Sequence, residues 1–178
     1  MTAATPPMGW NSWNTFGPNI DEELIFQITD VLVREGYREA GYEYLVIDDC
    51  WSLKERDAEG NLVPDPAKFP HGMEAVADYV HRAGLKFGMY SCAGIRTCAG
   101  YPSSYDHEFQ DARLFARWGV DYLKYDYCNF PENADCINRY HIMSMALKAT
   151  GRPICFAACN WGHHDAWNWM RSIGAHMY

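Results

Sequence analysis

The chain has 178 residues, a formal net charge of −8 at pH 7, and a composition that is 48% hydrophobic and 15% aromatic. That length accommodates one domain with a buried core, and the acidic balance argues against nucleic acid or an anionic membrane surface as a partner. No apolar stretch approaches the ~20 residues that a membrane-spanning helix needs. Residues 1–8 do not predict a signal peptide, and both a cytoplasmic and a secreted location stay open.

The cysteine pattern argues against a zinc site. The chain has 7 cysteines and contains no C-x-x-C pair. Because paired-cysteine zinc spacing is absent, we predict neither a metal nor another cofactor. One or two disulfides are compatible with this count, whereas a full disulfide framework is not.

Hydrophobic patterns predict strands that alternate with helices along the chain. A short aromatic strand is expected over residues 8–13, and Asn19 to Glu22 has capping-box spacing, with Asn19 as the cap of a helix that ends near Gly41. Later strands are predicted at residues 44–48, 86–91, 122–128 and 153–158. Further helices are expected near residues 73–84, 108–119, 137–151 and 167–170, and residues 176–178 look like the start of a sixth strand.

A glycine follows each predicted helix and precedes the next strand by two or three residues. These glycines are Gly41, Gly84, Gly119, Gly151 and Gly174. Glycine accepts the left-handed conformation that commonly ends a helix, and alternating strands and helices indicate a parallel sheet. Because the G-x-G-x-x-G loop of a doubly wound sheet is absent, we predict a (β/α)8 TIM barrel. A whole barrel takes ~250 residues, so residues 1–178 are expected to be its N-terminal portion, about five and a half units.

Polar and aromatic residues gather where the predicted strands end. They are Trp13, Asp48, Asp49, Tyr90, Asp126, Asn160 and Trp161. In parallel α/β folds, the carboxyl ends of the strands are where sites are built. Packing alone is a poor explanation for such residues at the same end of five consecutive strands, so we expect a functional site there.

Lys124 and Asp126 share one face of a predicted strand, where burial is costly unless the charges are paired or used. Asp126 is therefore a candidate nucleophile or general base that Lys124 keeps ionised; the alternative is a structural ion pair. Asp48 and Asp49 are suited to holding neighbouring hydroxyls of a sugar. A metal pair or a solvated loop is the alternative, but no histidine is nearby. Three carboxylates at one barrel mouth favour glycoside chemistry.

Four segments resemble the signature set of glycoside hydrolase family 27, the α-galactosidase or melibiase family. They are Met8–Trp13, Ile47–Trp51, Thr97–Gly100 and Tyr122–Cys128. The resemblance implies a (β/α)8 barrel that hydrolyses terminal non-reducing α-D-galactosyl residues by a retaining double displacement. The implied partner is an α-galactoside oligosaccharide or glycoconjugate; a homo-oligomer stays open.

The resemblance also implies roles for individual residues. Asp126 is the expected nucleophile, with Lys124 as a substrate contact and charge partner beside it. Asp48 and Asp49 are expected to hold the galactose hydroxyls at C4 and C6, and Asp at position 49 fits a full galactose. By the same resemblance, Trp13 packs on the sugar, Tyr90 lines the pocket, and Cys98 pairs with Cys128 in a disulfide next to the nucleophile.

Some positions depart from the family pattern. Cys50 has no partner in the loop after the first strand and is expected to be a free buried thiol. Where many members have Glu-Trp, this chain has Asn160-Trp161, so the preference for a hydroxyl or an N-acetyl group at C2 is open. His163 and His164 in the same loop either contact a second sugar or are solvated.

The family's acid/base Asp is expected beyond Tyr178. Asp165 is the only carboxylate after the fifth predicted strand, and we interpret it as a helix N-cap. Two alternatives to an α-galactosidase therefore remain: an enzyme of another family specificity, such as an α-N-acetylgalactosaminidase, and an inactive galactose-binding fragment.

Overall fold

The computed structural model of the protein describes residues 4–178. Its strands are β1 (Gly9–Asn11), β2 (Tyr44–Val46), β3 (Lys86–Cys92), β4 (Tyr122–Asp126) and β5 (Cys155–Cys159). Its α-helices are α1 (Trp13–Phe16), α2 (Glu22–Arg34), α3 (Gly72–Arg82), α4 (Glu108–Arg117) and α5 (Cys136–Ala149), and a 3-10 helix covers His163–Asn168. None of the helices in this described range is long and apolar enough to cross a membrane.

The five strands form one parallel sheet whose spatial order is the order in the chain. With a helix in each connection, the sheet is the first half of a (β/α)8 barrel, which confirms the predicted fold class. The register places Cys92 of β3, Asp126 of β4 and Cys159 of β5 side by side at the carboxyl end. A parallel bridge from Ala157 to Met177 begins a further pairing beside β5, as the sequence predicted.

The core lies on both faces of the sheet. All of β2 and most of β3 and β5 are buried, as expected for parallel strands that are covered on both sides. Helix α3 buries Met73, Val76, Ala77 and Val80, which recur at the spacing of one helical face. The strands that carry the candidate site residues at their carboxyl ends are therefore packed on both faces.

The first long helix differs from its prediction at both ends. Its N-cap is Asp21, whose side chain accepts a hydrogen bond from the backbone N–H of Leu24, so the prediction of Asn19 was wrong. The helix ends at Arg34 and not near Gly41, because Gly36 already takes a left-handed φ of 78°. Gly36 therefore supplies the helix-ending conformation that was attributed to Gly41.

Two other predicted elements were also placed wrongly. The strand expected over residues 8–13 covers only Gly9–Asn11, and Trp13 is already the first residue of α1. The helix expected around residues 167–170 is a 3-10 helix that begins earlier, with Gly162 at its N-cap. Asp165 lies inside this segment at a left-handed φ of 52°, so it is not the helix N-cap.

Candidate active site

Three buried carboxylates lie at the carboxyl end of the sheet. Asp48 and Asp49 follow β2 and are each 2% exposed, and Asp126 ends β4 and is 5% exposed. Ionised carboxylates are costly to bury without donors. Their hydrogen-bond partners therefore decide what each carboxylate can do.

Asp126 receives hydrogen bonds on both carboxylate oxygens. Oδ2 accepts from the hydroxyl of Tyr90 at 2.9 Å, and Oδ1 accepts from the backbone N–H of Tyr127 at 2.9 Å and from the indole Nε1 of Trp161 at 3.0 Å. Burial, followed by the nearby Asp126 carboxylate, raises the pKa of Tyr90 far above its ordinary value, so Tyr90 stays a donor. These donors hold the Asp126 carboxylate in a fixed orientation at the end of β4.

The direct ion pair of Lys124 is with Asp48 and not with Asp126. Its Nζ lies 2.8 Å from Asp48 Oδ2, an oxygen that also accepts from the side-chain amide of Asn11 at 2.8 Å. Burial acts to lower the pKa of Lys124, but the Asp48 carboxylate outweighs it and raises that pKa. Lys124 was expected as the charge partner of Asp126 on the same strand. Its direct ion pair is instead with Asp48, and the Asp126 carboxylate adds a smaller raising effect on the pKa of Lys124.

Asp49 turns toward the loop that follows β3. Oδ1 accepts from the backbone N–H of Cys50 at 2.7 Å, and Oδ2 accepts from that of Ala99 at 2.9 Å. Burial raises the pKa of the Asp49 carboxyl, against the lowering effect of these N–H groups. Cys50 itself is a free, buried thiol, as predicted from the sequence.

The raised pKa of Asp49 predicts a pH-dependent stability. Because the folded state binds this proton more tightly than the unfolded chain, the contribution of Asp49 is largest below its unfolded pKa of about 4 and falls as pH rises through the folded pKa. We expect the melting temperature of Asp49→Asn, measured relative to the wild type at the same pH, to be higher at pH 7 than at pH 4. Thermal unfolding at both pH values checks this, with the exposed Glu55→Gln as control; an unchanged difference would contradict it.

A disulfide between Cys98 and Cys128 borders the nucleophile candidate, and its Cα atoms are 5.0 Å apart. The bridge confirms the pairing that the resemblance implied. It fixes the loop whose Ala99 N–H contacts Asp49. The loop also approaches the segment after β4 closely, because a Cβ added at Gly94 would lie 2.0 Å from the carbonyl oxygen of Cys128.

Loss of this disulfide is expected to lower the stability of the fold. The bridge closes a loop with a sequence separation of 30 residues, and loop-closure entropy then gives about 3–4 kcal/mol of stabilisation. We expect Cys98→Ala/Cys128→Ala to melt at a lower temperature than the wild type, because the unfolded chain is then no longer constrained by the bridge. Melting curves with and without a reducing agent check this. Equal curves for the oxidised and reduced wild type would contradict it.

Among residues 4–178, one group of His, Cys, Asp or Glu side chains has the spacing of metal ligands: Cys98, Asp126 and Cys128, whose candidate ligand atoms lie within 4.8 Å of one another. The two sulfur atoms are bonded to each other, so they are not available as thiolate ligands.

The remaining site residues occupy the rim or the loop after β5. Trp13 is 37% exposed beside Asn11, whose Oδ1 accepts the Trp13 backbone N–H. Trp161 is 58% exposed apart from its contact with Asp126. Asn160 is 2% exposed and turns into its own loop, since Nδ2 donates to the carbonyl of His163 and Oδ1 accepts from Gly162. Its amide therefore shapes the loop.

Sequence reasoning missed two residues of the site. Asn11 reaches Asp48, and the N–H of Tyr127 reaches Asp126. Both residues lie inside the segments that carry the resemblance. Asn11 also ends β1, so the rule that sites form at strand ends was sufficient to include it.

Comparison with known proteins identifies the family. Residues 5–173 match the family model Melibiase_2, described as alpha galactosidase A. The chain belongs to this family. It is 53% identical to the alpha-galactosidase of Coffea arabica over 171 residues, which cover 96% of this chain and 45% of that protein. The chain therefore spans less than half the length of this relative.

Solved structures of the melibiase family superpose closely on this fold. The crystal structure of alpha-galactosidase I from Mortierella vinacea has a TM-score of 0.93 at 43% identity, covering 95% of this chain and 44% of that one. The structure of the Saccharomyces cerevisiae alpha-galactosidase with raffinose has a TM-score of 0.90 at 46% identity, covering 93% and 37%. One of these solved relatives, the Saccharomyces cerevisiae enzyme, was therefore solved with raffinose.

Proposed function

We propose that the full-length protein containing this chain hydrolyses terminal non-reducing α-D-galactosyl residues, and that Asp126 forms a covalent glycosyl-enzyme. The observation that carries the proposal is the environment of Asp126: a buried carboxylate at a strand end, with three donors on its two oxygens. Membership of the melibiase family supports the galactoside as substrate.

In the first step, Asp126 attacks the anomeric carbon while the bond to the leaving oxygen breaks, and an acid protonates that oxygen. In the second step, the deprotonated acid takes a proton from water, which attacks the same carbon from the opposite face and releases the Asp126 carboxylate, so the configuration is retained. We propose that the acid/base lies beyond Tyr178, and that residues 1–178 form the N-terminal portion of the barrel. Tyr90 and Trp161 hold the Asp126 carboxylate in its orientation between turnovers through their hydrogen bonds.

Asp48, Asp49 and Lys124 are proposed to bind the galactose hydroxyls. A carboxylate has about four lone-pair sites, and Asp48 receives three donors, from Asn11, Lys124 and the N–H of Asp49. One acceptor site on Asp48 therefore remains for a hydroxyl, next to an ammonium that donates. Trp13 on the rim is proposed to pack on the sugar face, and Asn160 to shape the side of the site near C2.

The experiment is a substrate comparison with the full-length protein. We expect hydrolysis of an aryl α-galactoside, with the α-anomer of galactose as the first product by NMR. Preference for the N-acetyl analogue would indicate an α-N-acetylgalactosaminidase instead. If galactose binds but is never released from any α-galactoside, the protein is a galactose-binding one.

A further inference from the structure

The turn over residues 97–101 carries the backbone N–H that bonds Asp49. Ala99 donates this N–H to Asp49 Oδ2 at 2.9 Å. The turn is closed within itself, because the N–H of Thr97 donates to the carbonyl of Tyr101 at 2.9 Å and the N–H of Tyr101 donates to the Thr97 hydroxyl at 3.0 Å. The turn therefore moves as a unit, and its position sets the position of the Ala99 donor.

Contacts from two neighbouring segments hold this turn. On its amino side, Cys98 is joined to the segment after β4 by the disulfide with Cys128. On its carboxyl side, Lys54 reaches over from the loop after β2. Its Nζ donates to the Ala99 carbonyl at 3.0 Å and lies 3.4 Å from the centroid of the Tyr101 ring. A cation over a tyrosine face at this distance is attracted by the ring, so the exposed side chain of Lys54 makes two contacts with one turn.

Asp49 keeps acceptor capacity for a ligand. Its Oδ1 accepts the N–H of Cys50 at 2.7 Å, and its Oδ2 accepts the N–H of Ala99. A carboxylate has about four lone-pair sites, so these two backbone donors do not use up its acceptor capacity. Because Cys50 is the next residue in the chain, the orientation of Oδ2 depends on Ala99 and hence on the turn.

We propose that Lys54 is a positioning residue for recognition of the C6 hydroxyl of galactose. Lys54 holds the turn, the Ala99 N–H of the turn orients Asp49, and Asp49 accepts the hydroxyl. The proposal rests on the function proposed above, in which Asp49 binds a galactose hydroxyl. Lys54 acts through the turn and not on the sugar, so its loss should affect a substrate only as far as that substrate uses the C6 hydroxyl.

Kinetics on two substrates of the full-length protein test this role. An aryl α-galactoside has the C6 hydroxyl, and the aryl 6-deoxy-α-galactoside has a methyl group there with the rest of the sugar unchanged. We expect Lys54→Met to lower the ratio of kcat/KM for the first substrate to kcat/KM for the second by roughly three- to tenfold. This range corresponds to about 1 kcal/mol, the size of one exposed cation–π contact or one hydrogen bond.

The conservative variant Lys54→Arg should keep the ratio within twofold of wild type, because a guanidinium also stacks on an aromatic ring and donates hydrogen bonds. Lys86→Met is the matched control. Lys86 is also an exposed lysine whose Nζ lies over a tyrosine ring, 5.0 Å from the centroid of Tyr44, but it is the first residue of β3, at the opposite end of the strand from the site. Its ratio should also stay within twofold of wild type.

The ratio does not depend on the fraction of folded enzyme, so a loss of stability does not imitate the effect. An unchanged ratio in Lys54→Met, including an equal loss on both substrates, would overturn the proposal alone. A ratio for Lys54→Arg or Lys86→Met as low as that for Lys54→Met would overturn it as well. A wild type that hydrolyses the two substrates equally well would overturn the contact of Asp49 with the C6 hydroxyl. A wild type that hydrolyses neither would overturn the proposed function.

Discussion

Asp126→Ala in the full-length protein is expected to lower kcat/KM for an aryl α-galactoside on the order of 10⁴-fold or more, because it removes the covalent route. The side chain that is lost receives its donors from Tyr90, Tyr127 and Trp161. Loss of this carboxylate removes none of the residues that are proposed to bind the galactose hydroxyls. Binding of galactose, measured by calorimetry, should therefore persist in the conservative variant Asp126→Asn.

The matched control is Asp165→Asn. Asp165 is an exposed carboxylate in the loop after β5, with a left-handed φ that asparagine tolerates. Its kcat/KM should stay within a few-fold of wild type. Azide should partly restore turnover of Asp126→Ala by attacking the anomeric carbon in place of the carboxylate, giving β-galactosyl azide. Turnover of Asp126→Ala within a few-fold of wild type would show that another residue is the nucleophile.

Lys124→Met is expected to damage stability and activity together. Asp48 is 3% exposed in its side chain and Lys124 is 24% exposed, so the variant leaves a buried carboxylate without its cation. Breaking a buried pair in this way costs about 3–5 kcal/mol of unfolding free energy. We also expect a loss of about 10²-fold or more in kcat/KM, as for removal of one charged group that contacts the reacting substrate.

A double variant separates the two effects. Asp48→Asn/Lys124→Met removes both charges, so it should regain roughly half or more of the lost stability, as expected for coupled neighbours. It should not regain activity, because the proposed hydroxyl contacts are lost. Thermal or denaturant unfolding and kcat/KM on the same preparations measure both quantities. If the stability loss of the double variant equals the sum of the losses of Asp48→Asn and Lys124→Met, the ion pair is contradicted.

Much of the fold follows from local sequence features. Apolar runs with glycines after each helix predicted the parallel sheet, because buried parallel strands need continuous apolar segments. The errors lie where two local signals competed. Gly36 and Gly41 both take left-handed φ values, and only the first ends the helix. Asn19 and Asp21 are both good caps, and only Asp21 has its side chain on the N–H of Leu24.

The candidate site was predictable in its residues and less so in its pairings. Strand ends identified Asp48, Asp49 and Asp126, because parallel strands share one carboxyl edge. The ion pair between Lys124 on β4 and Asp48 after β2 was not predicted. The two residues lie on either side of β3, so their contact depends on the curvature of the sheet. Lys124 Nζ reaches across the ring of Tyr90, whose centroid is 5.3 Å away.

The loop after β5 was the least predictable part of the site. Its shape depends on left-handed backbone at Trp161, His164 and Asp165, a conformation that Asp and His adopt more often than other non-glycine residues but that is uncommon for Trp. The contact of Trp161 Nε1 with Asp126 and the stacking of His163 on Tyr127 follow from that shape. For His163 and His164, a contact with a second sugar and a solvated loop were the two predictions; in the structure both rings are exposed and contact Tyr127.

The most direct measurement is to trap the covalent intermediate. The full-length protein is incubated with a fluorinated α-galactosyl fluoride that forms the glycosyl-enzyme but hydrolyses slowly, and the digested protein is then examined by mass spectrometry. We expect one galactosyl adduct per molecule, on the peptide that contains Asp126 and at that carboxylate. A stoichiometric adduct on any other residue, or release of the inverted anomer by the wild type, would contradict the account.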